Sequence, residues 1–153
     1  MISLFGLVSI VVLVLSAAAL VLHFRVLVLR GQVDDSFAQV EVLVRVRIDL
    51  IYDLGTNHDD GSELCLMCEE ADASHAKDVF ASFPEIEKVL EDLRLEPDSF
   101  IPLKENKTEV LSAAGVYNVH LEKYNLFIGK LPGSVMAHVI GLKQEKALRI
   151  QLF

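Results

Sequence analysis

The sequence predicts an all-α fold: an N-terminal transmembrane helix followed by an antiparallel helical bundle of about four helices. Three observations carry that prediction. Residues 2–22 form an uncharged apolar run, residues 33–51 repeat apolar side chains at helical spacing, and residues 110–131 carry a regular apolar seam.

The first element is the apolar run, ISLFGLVSIVVLVLSAAALVL. The 153-residue chain is 52% hydrophobic with mean hydropathy +0.42, and this run concentrates the excess. As a helix rising about 1.5 Å per residue it reaches about 31 Å, the thickness of a bilayer's hydrocarbon core. A helix satisfies its own backbone hydrogen bonds, which lipid cannot do, so Gly6 and Ser9 are tolerated within it. The expected parts are an anchor, residues 1–24, and a helical domain, residues 25–153, with the bilayer as partner of residues 2–22. A cleaved secretion signal is the competing reading, because Ala17-Ala18-Ala19 offers small residues for cleavage. Against it, no Lys or Arg precedes the run, and Leu20-Val21-Leu22 continue it. No cysteine follows the run to support a lipoprotein anchor. Arg25 and Arg30, then Arg45 and Arg47, follow the span, and the positive-inside rule puts the domain in the cytoplasm, N-out and C-in.

The second element continues from the anchor. Val33, Phe37, Val40, Val44 and Ile51 recur at helical spacing with polar residues between them, and no proline interrupts residues 1–83. One long helix to about Leu54 is expected, with Gly31 as a flexible point. Gly55-Thr56-Asn57-His58-Asp59-Asp60-Gly61 reads as a turn. A second helix is expected from Ser62 to about Ser82, and a third over 84–95 with Pro84 in its first turn. The string Glu96 to Pro102 breaks it.

The last long helix, about 103–131, carries the clearest period. Val110, Ala114, Tyr117, Leu121, Tyr124, Ile128 and Leu131 step by four and three, an a/d seam over three heptads. Burial against the 33–51 helix is the simplest way to cover it. A coiled-coil dimer through the seam, and so a homo-oligomer, is the alternative. Gly115 and Gly129 lower helix propensity but would permit close packing. Pro132 and Gly133 end the helix, Val135–Ile140 reads as one short apolar helical turn, and Leu148–Phe153 stays unclassified.

Charge bounds the function. Residues 53–98 hold 14 acidic and 3 basic side chains, and residues 99–153 hold 4 acidic and 7 basic. The acidic middle argues against nucleic-acid binding, which needs a positive face. It reads as the solvated surface of short helices.

Specific strings add a resemblance. Leu29 to Leu54, LRGQVDDSFAQVEVLVRVRIDLIYDL, is similar to the opening of the LemA family: Val33-Asp34 match its valine-acid pair, Phe37 stands for the usual tryptophan, and Asp49-Leu50-Ile51 match its D-L-I step. Ala113 to Lys143 is more specific, with Tyr117-Asn118 and Tyr124-Asn125 seven residues apart, then Ile128, Pro132, Ala137, Gly141 and Lys143 at family spacing. Ser82-Phe83-Pro84-Glu85 resembles the family's aromatic-proline-acid step. The resemblance covers most of the chain and implies a membrane-tethered, antiparallel helical bundle. It supplies no activity, because the family has no established biochemical function; some relatives take part in magnetosome formation and others are associated with envelope stress. The chain departs from the pattern at Arg47-Ile48, where arginine-histidine is usual, and at Tyr52-Asp53, where proline-asparagine is usual.

Few residues suggest chemistry. Cys65 and Cys68, with His58 and His75, give H-x6-C-x2-C-x6-H, a set that could ligate zinc. The histidine spacing is wider than in known zinc sites, a cytoplasmic domain keeps the thiols reduced, and the bland reading is two small side chains facing the bundle. Tyr117 and Tyr124 lie on the seam and are expected to pack inside, while Asn118 and Asn125 flank it and could bond across to another helix. Arg47 falls on the inner side of its helix, with Asp49, Glu109 and Glu122 as carboxylates it could meet. Asn106-Lys107-Thr108 matches a glycosylation acceptor, relevant only in a secretory compartment. No nucleophile motif, phosphate-cradling loop or HExxH occurs, so neither catalysis nor a cofactor is expected. The expected function is a membrane-anchored scaffold or adaptor organising membrane or cytoplasmic proteins at a bacterial membrane. The alternatives are a metal- or redox-responsive sensor using Cys65 and Cys68, and a magnetosome-type or envelope-stress role as in some relatives.

Overall fold

The computed structural model describes residues 4–58, 61–92 and 101–150. Every regular element among them is a helix: α1 Leu4–Thr56, α2 Ser62–Asp72, α3 Ala76–Asp92, α4 Ile101–Gly129 and α5 Gly133–Ile140. The all-α class and the long apolar first helix agree with the expectation. Residues 1–3 of the anchor, Asp59 and Asp60 of the expected turn, residues 96–100 of the expected breaker and the final residues 151–153 lie outside the described residues.

The chain divides into two compact units, and α1 and α4 each contribute to both. One unit comprises Met1–Asp35 with Asn118–Ala147, the other Ser36–Tyr117 with Leu148–Phe153.

In the first unit, every residue of α1 from Leu7 through Val21 is exposed. This stretch makes α1 long and apolar enough to cross a membrane. Its two hydroxyls return to their own helix, Ser9 to the Phe5 carbonyl and Ser16 to that of Val12, both at 2.9 Å, so neither needs water. A buried face starts only at Val26 and Val33, with Leu121, Tyr124 and Ile128 of α4 and Ala137 of α5 also buried. Leu131, expected to close the seam, is 79% exposed. The helix stops at Gly129, so heptad spacing no longer decides which way Leu131 points. Helix α5 ends in a Schellman arrangement: Leu142 N–H donates to the Ala137 carbonyl at 2.9 Å and Gly141 N–H to that of His138 at 3.3 Å. Gly141 makes this possible with φ of 75°, a conformation that side chains with a Cβ disfavour.

In the second unit the core comprises Val40, Val44, Ile48 and Ile51 of α1, Leu64, Cys68 and Ala71 of α2, Val79, Phe83, Ile86 and Leu90 of α3, and Leu103, Val110, Ala114 and Tyr117 of α4. Phe37, half-buried, sets its ring 5.4 Å from Phe80 and 5.6 Å from Tyr117. The expected helix 62–82 is broken earlier, at Ala73–His75, and α3 then runs through Pro84. Proline forfeits an N–H and crowds the carbonyl four residues back. Here Val79, Phe83, Ile86 and Leu90 keep one apolar face through it, and Pro84 itself is exposed, so core burial overrides the local signal. Gly61 packs where a Cβ would run into the Gly55 carbonyl group, and a Cβ on Gly55 would press on Cys65 Sγ at 2.9 Å, so the α1–α2 turn favours glycine at both positions. A Cβ on Gly31 or Gly115 would meet nothing within 4 Å, so close packing does not account for Gly115, and Gly31 lies inside a continuous helix.

Candidate functional site

The most concentrated chemistry in the second unit is a buried ion pair. Arg47 is 1% exposed and Glu87 is 0% exposed. Arg47 Nε donates to Glu87 Oε1 and Nη2 to Glu87 Oε2, the latter at 2.9 Å, while Nη1 donates to the Leu103 carbonyl at 2.7 Å. The guanidinium fork matches a carboxylate bidentately, and its third donor satisfies a backbone oxygen in the first turn of α4. The expected partners of Arg47 are corrected: Asp49, Glu109 and Glu122 are all exposed. Asp49 sits two positions along the helix, and residues so spaced do not face each other. The signal for Glu87 was present in α3, where it falls beside Ile86 on the face of Val79, Phe83 and Leu90. Asn106, one turn beyond Leu103, is also buried; its Nδ2 donates to the Leu43 carbonyl at 3.2 Å, and its Oδ1 has no hydrogen-bond partner among the described residues. The glycosylation-like acceptor is therefore enclosed in the fold.

Arg45 holds the α2–α3 corner. It pairs with Glu41 at 3.1 Å and Asp72 at 3.2 Å and donates to the carbonyls of Asp72 and Ser74. Ser74 Oγ donates to the Ala71 carbonyl at 2.6 Å. These contacts satisfy carbonyls that α2 leaves open at its C-terminus, where a cation is also favoured, and they fix the break at Ala73–His75.

The cysteine motif lies in the same unit. Cys65 and Cys68 are both free thiols, Cys68 buried and Cys65 half-buried against the Tyr52 carbonyl at 3.8 Å. Burial, with the neighbouring Cys65 and Asp49, pushes the Cys68 thiol up to about 12. A thiol so shifted stays protonated at neutral pH and is a poor nucleophile and ligand. Among the described residues no three His, Cys, Asp or Glu side chains converge to hold a metal ion; His58 is half-buried and His75 exposed. Tyr52 donates to Glu69 at 3.2 Å, and that bond, with the Glu69 charge, raises its pKa above the usual phenol range.

The residues that carry the family resemblance have structural positions. Val33, Ile51, Tyr117 and Tyr124 are buried, Leu50 and Asn118 half-buried, and Asp34 exposed in an ion pair with Arg30 at 3.9 Å. Asn125 bonds the tail instead of another helix: Nδ2 donates to the Glu145 carbonyl at 2.8 Å and Oδ1 accepts the Glu145 N–H at 3.1 Å. A carboxamide matches the N–H and C=O of a single residue, and Glu145 in the tail presents both. Pro132 follows Leu131 through a cis peptide bond. In the first unit, the Arg25 guanidinium lies over the Phe127 ring at 5.4 Å, and His120 Nδ1 meets the Gln32 carbonyl at 3.2 Å. Comparison with protein-family models, with curated proteins and with solved structures finds no match to this chain.

Proposed function

We propose that this chain is a LemA-type membrane-anchored scaffold: a single span near residues 2–22, N-out and C-in, tethering an antiparallel helical bundle that organises protein partners at a bacterial membrane, with no catalysis of its own. The observation that carries the reading is the contrast along α1. Residues 7–21 expose apolar side chains on every side, whereas from Val26 onward the same helix buries one face. Exposed hydrocarbon on all sides is stable in lipid and costly in water. Support for the antiparallel arrangement comes from pairings within each unit. Along α1, Phe37, Leu43 and Arg47 meet Tyr117, Asn106 and Leu103 of α4, numbers that fall as the first set rises. Arg25 and Gln32 meet Phe127 and His120 in the same sense. Arg45 and Arg47 are engaged inside the second unit, so the orientation rests on Arg25 and Arg30.

The test is proximity labelling from the full chain in native membranes, with a topology reporter. Because Cys68 is buried, the reporter thiol belongs on an exposed position, Ser112→Cys in a Cys65→Ser/Cys68→Ser background. Labelling by a membrane-impermeant maleimide only after lysis, with reproducible neighbours on the cytoplasmic side, is the expected result. Labelling in intact cells refutes the orientation, and the absence of any reproducible neighbour, including a second copy, refutes the scaffold.

A further inference from the structure

We propose that the end of α4 and helix α5 form an interfacial seat for an anionic phospholipid, in which Arg25, Lys123 and Lys130 take the phosphate and Leu131, Val135 and Val139 enter the acyl boundary. The inference rests on the membrane reading above. A groove of about 390 Å³ lies in the first unit, lined by Arg25, Lys123, Lys130, Leu126, Phe127 and Leu131 among others. Among the described residues no acidic side chain lines it, although the chain as a whole carries net charge −8. Its size falls in the range of about 300–1,000 Å³ typical of small-molecule clefts.

Depth in the bilayer selects lipid as the occupant. The headgroup layer adds about 5–7 Å to each side of the hydrocarbon core, so it spans about four residues of helix past Leu22. Arg25 falls in that layer, and its stacking on Phe127 brings the end of α4 to the same level. Phe24, Leu27 and Val28 keep the apolar surface of α1 exposed there. Helix α5 buries Gly133 and Ala137 and presents the opposite side: Val139 is 75% exposed, Val135 one turn earlier is exposed, and so is Leu131. Apolar side chains beside lysines whose stems can reach along them suit an interface with anionic headgroups.

The chain contains no tryptophan, so a single introduced indole is a clean reporter. Full-length Val139→Trp, Val11→Trp and Val42→Trp proteins would be reconstituted in phosphatidylcholine vesicles with and without phosphatidylglycerol. Quenching by lipids brominated at shallow or deep acyl positions then reports depth. Val11→Trp should be quenched by deep bromines, Val139→Trp by shallow ones, and Val42→Trp, on the second unit, by neither. Brominated phosphatidylglycerol should quench Val139→Trp in preference to brominated phosphatidylcholine, and Lys130→Gln should reduce that preference about fivefold. Quenching at Val11 without quenching at Val139 overturns the seat while leaving the anchor, and opens the α5 face to a protein partner. Quenching at Val139 with no preference for the anionic lipid also overturns it. No quenching at Val11 overturns the anchor itself.

Discussion

Removing either half of the buried Arg47–Glu87 pair is expected to cost more stability than any other single substitution of a polar residue in the second unit. Glu87→Ala leaves the Arg47 guanidinium buried without the carboxylate that it grips bidentately. Breaking a buried pair from one side costs about 3–5 kcal/mol, because the remaining charge stays out of water without its counter-charge from the pair. Arg47→Met takes the guanidinium away from the buried carboxylate instead, at a similar cost of about 3–5 kcal/mol. The double variant Arg47→Met/Glu87→Leu buries no charge. It takes the Arg47 donor from the Leu103 carbonyl, worth about 1–3 kcal/mol and offset in part by apolar packing. Its loss should therefore stay below about 3 kcal/mol, against about 6–10 kcal/mol if the single losses simply added. Urea denaturation of the full chain in nanodiscs, followed by helicity, measures all four proteins. A Glu87→Ala protein within about 0.5 kcal/mol of the parent, the range of an ordinary surface change, would refute the reasoning. So would a double variant that loses the full sum.

Three further outcomes follow from the described geometry. Gly61→Ala drives a Cβ into the Gly55 backbone and should lower stability by about 1–3 kcal/mol, whereas Gly31→Ala and Gly115→Ala point into open space inside helices and should each add up to about 1 kcal/mol; the same denaturation series ranks them. Cys68 keeps its proton to about pH 12 when folded, while the unfolded thiol loses it near its ordinary value of 9.0. Its contribution is thus complete below about pH 9 and is lost as pH rises toward 12, so Cys68→Ala should show a shallower alkaline decline than the parent, and equal slopes would contradict the assignment. Asn125→Ala removes both bonds to Glu145, and amide exchange at Gln144–Lys146 should accelerate while that of the α4 core stays unchanged.

How much of this could be read from the sequence depended on the range of the interaction involved. The long first helix and its end within two residues were legible, because residues 7–21 and the 33–51 repeat are local patterns that burial later obeys. The seam of α4 was legible for the same reason, and failed only at Leu131, where the helix had already ended. The α2–α3 break was not legible. Pro84 is a strong local signal, but the corner is fixed by Arg45, 27 positions before Asp72 in the chain, and no local rule contains that contact. The buried pair failed similarly: Arg47 could be placed on the inner face, but Glu87 is 40 positions away, and its one local mark is a charged residue on an apolar helical face. The H-x6-C-x2-C-x6-H spacing was visible as letters, yet whether those side chains converge depends on where α2 ends. Asn125 was correctly marked as a bonding residue, with the wrong element as its partner.

The enclosed Asn106 bears on how the protein can be made. A glycan is attached to an accessible amide, and here that nitrogen is already donating to Leu43 inside the fold. In a host that sends this domain through a glycosylating compartment, the Asn106-Lys107-Thr108 sequon would be modified before folding or not at all. A chain modified first would carry a sugar where the core must close, and would accumulate misfolded. Bacterial or cytoplasmic expression avoids that branch, and Thr108→Ala removes the sequon at an exposed position for work in secreting cells.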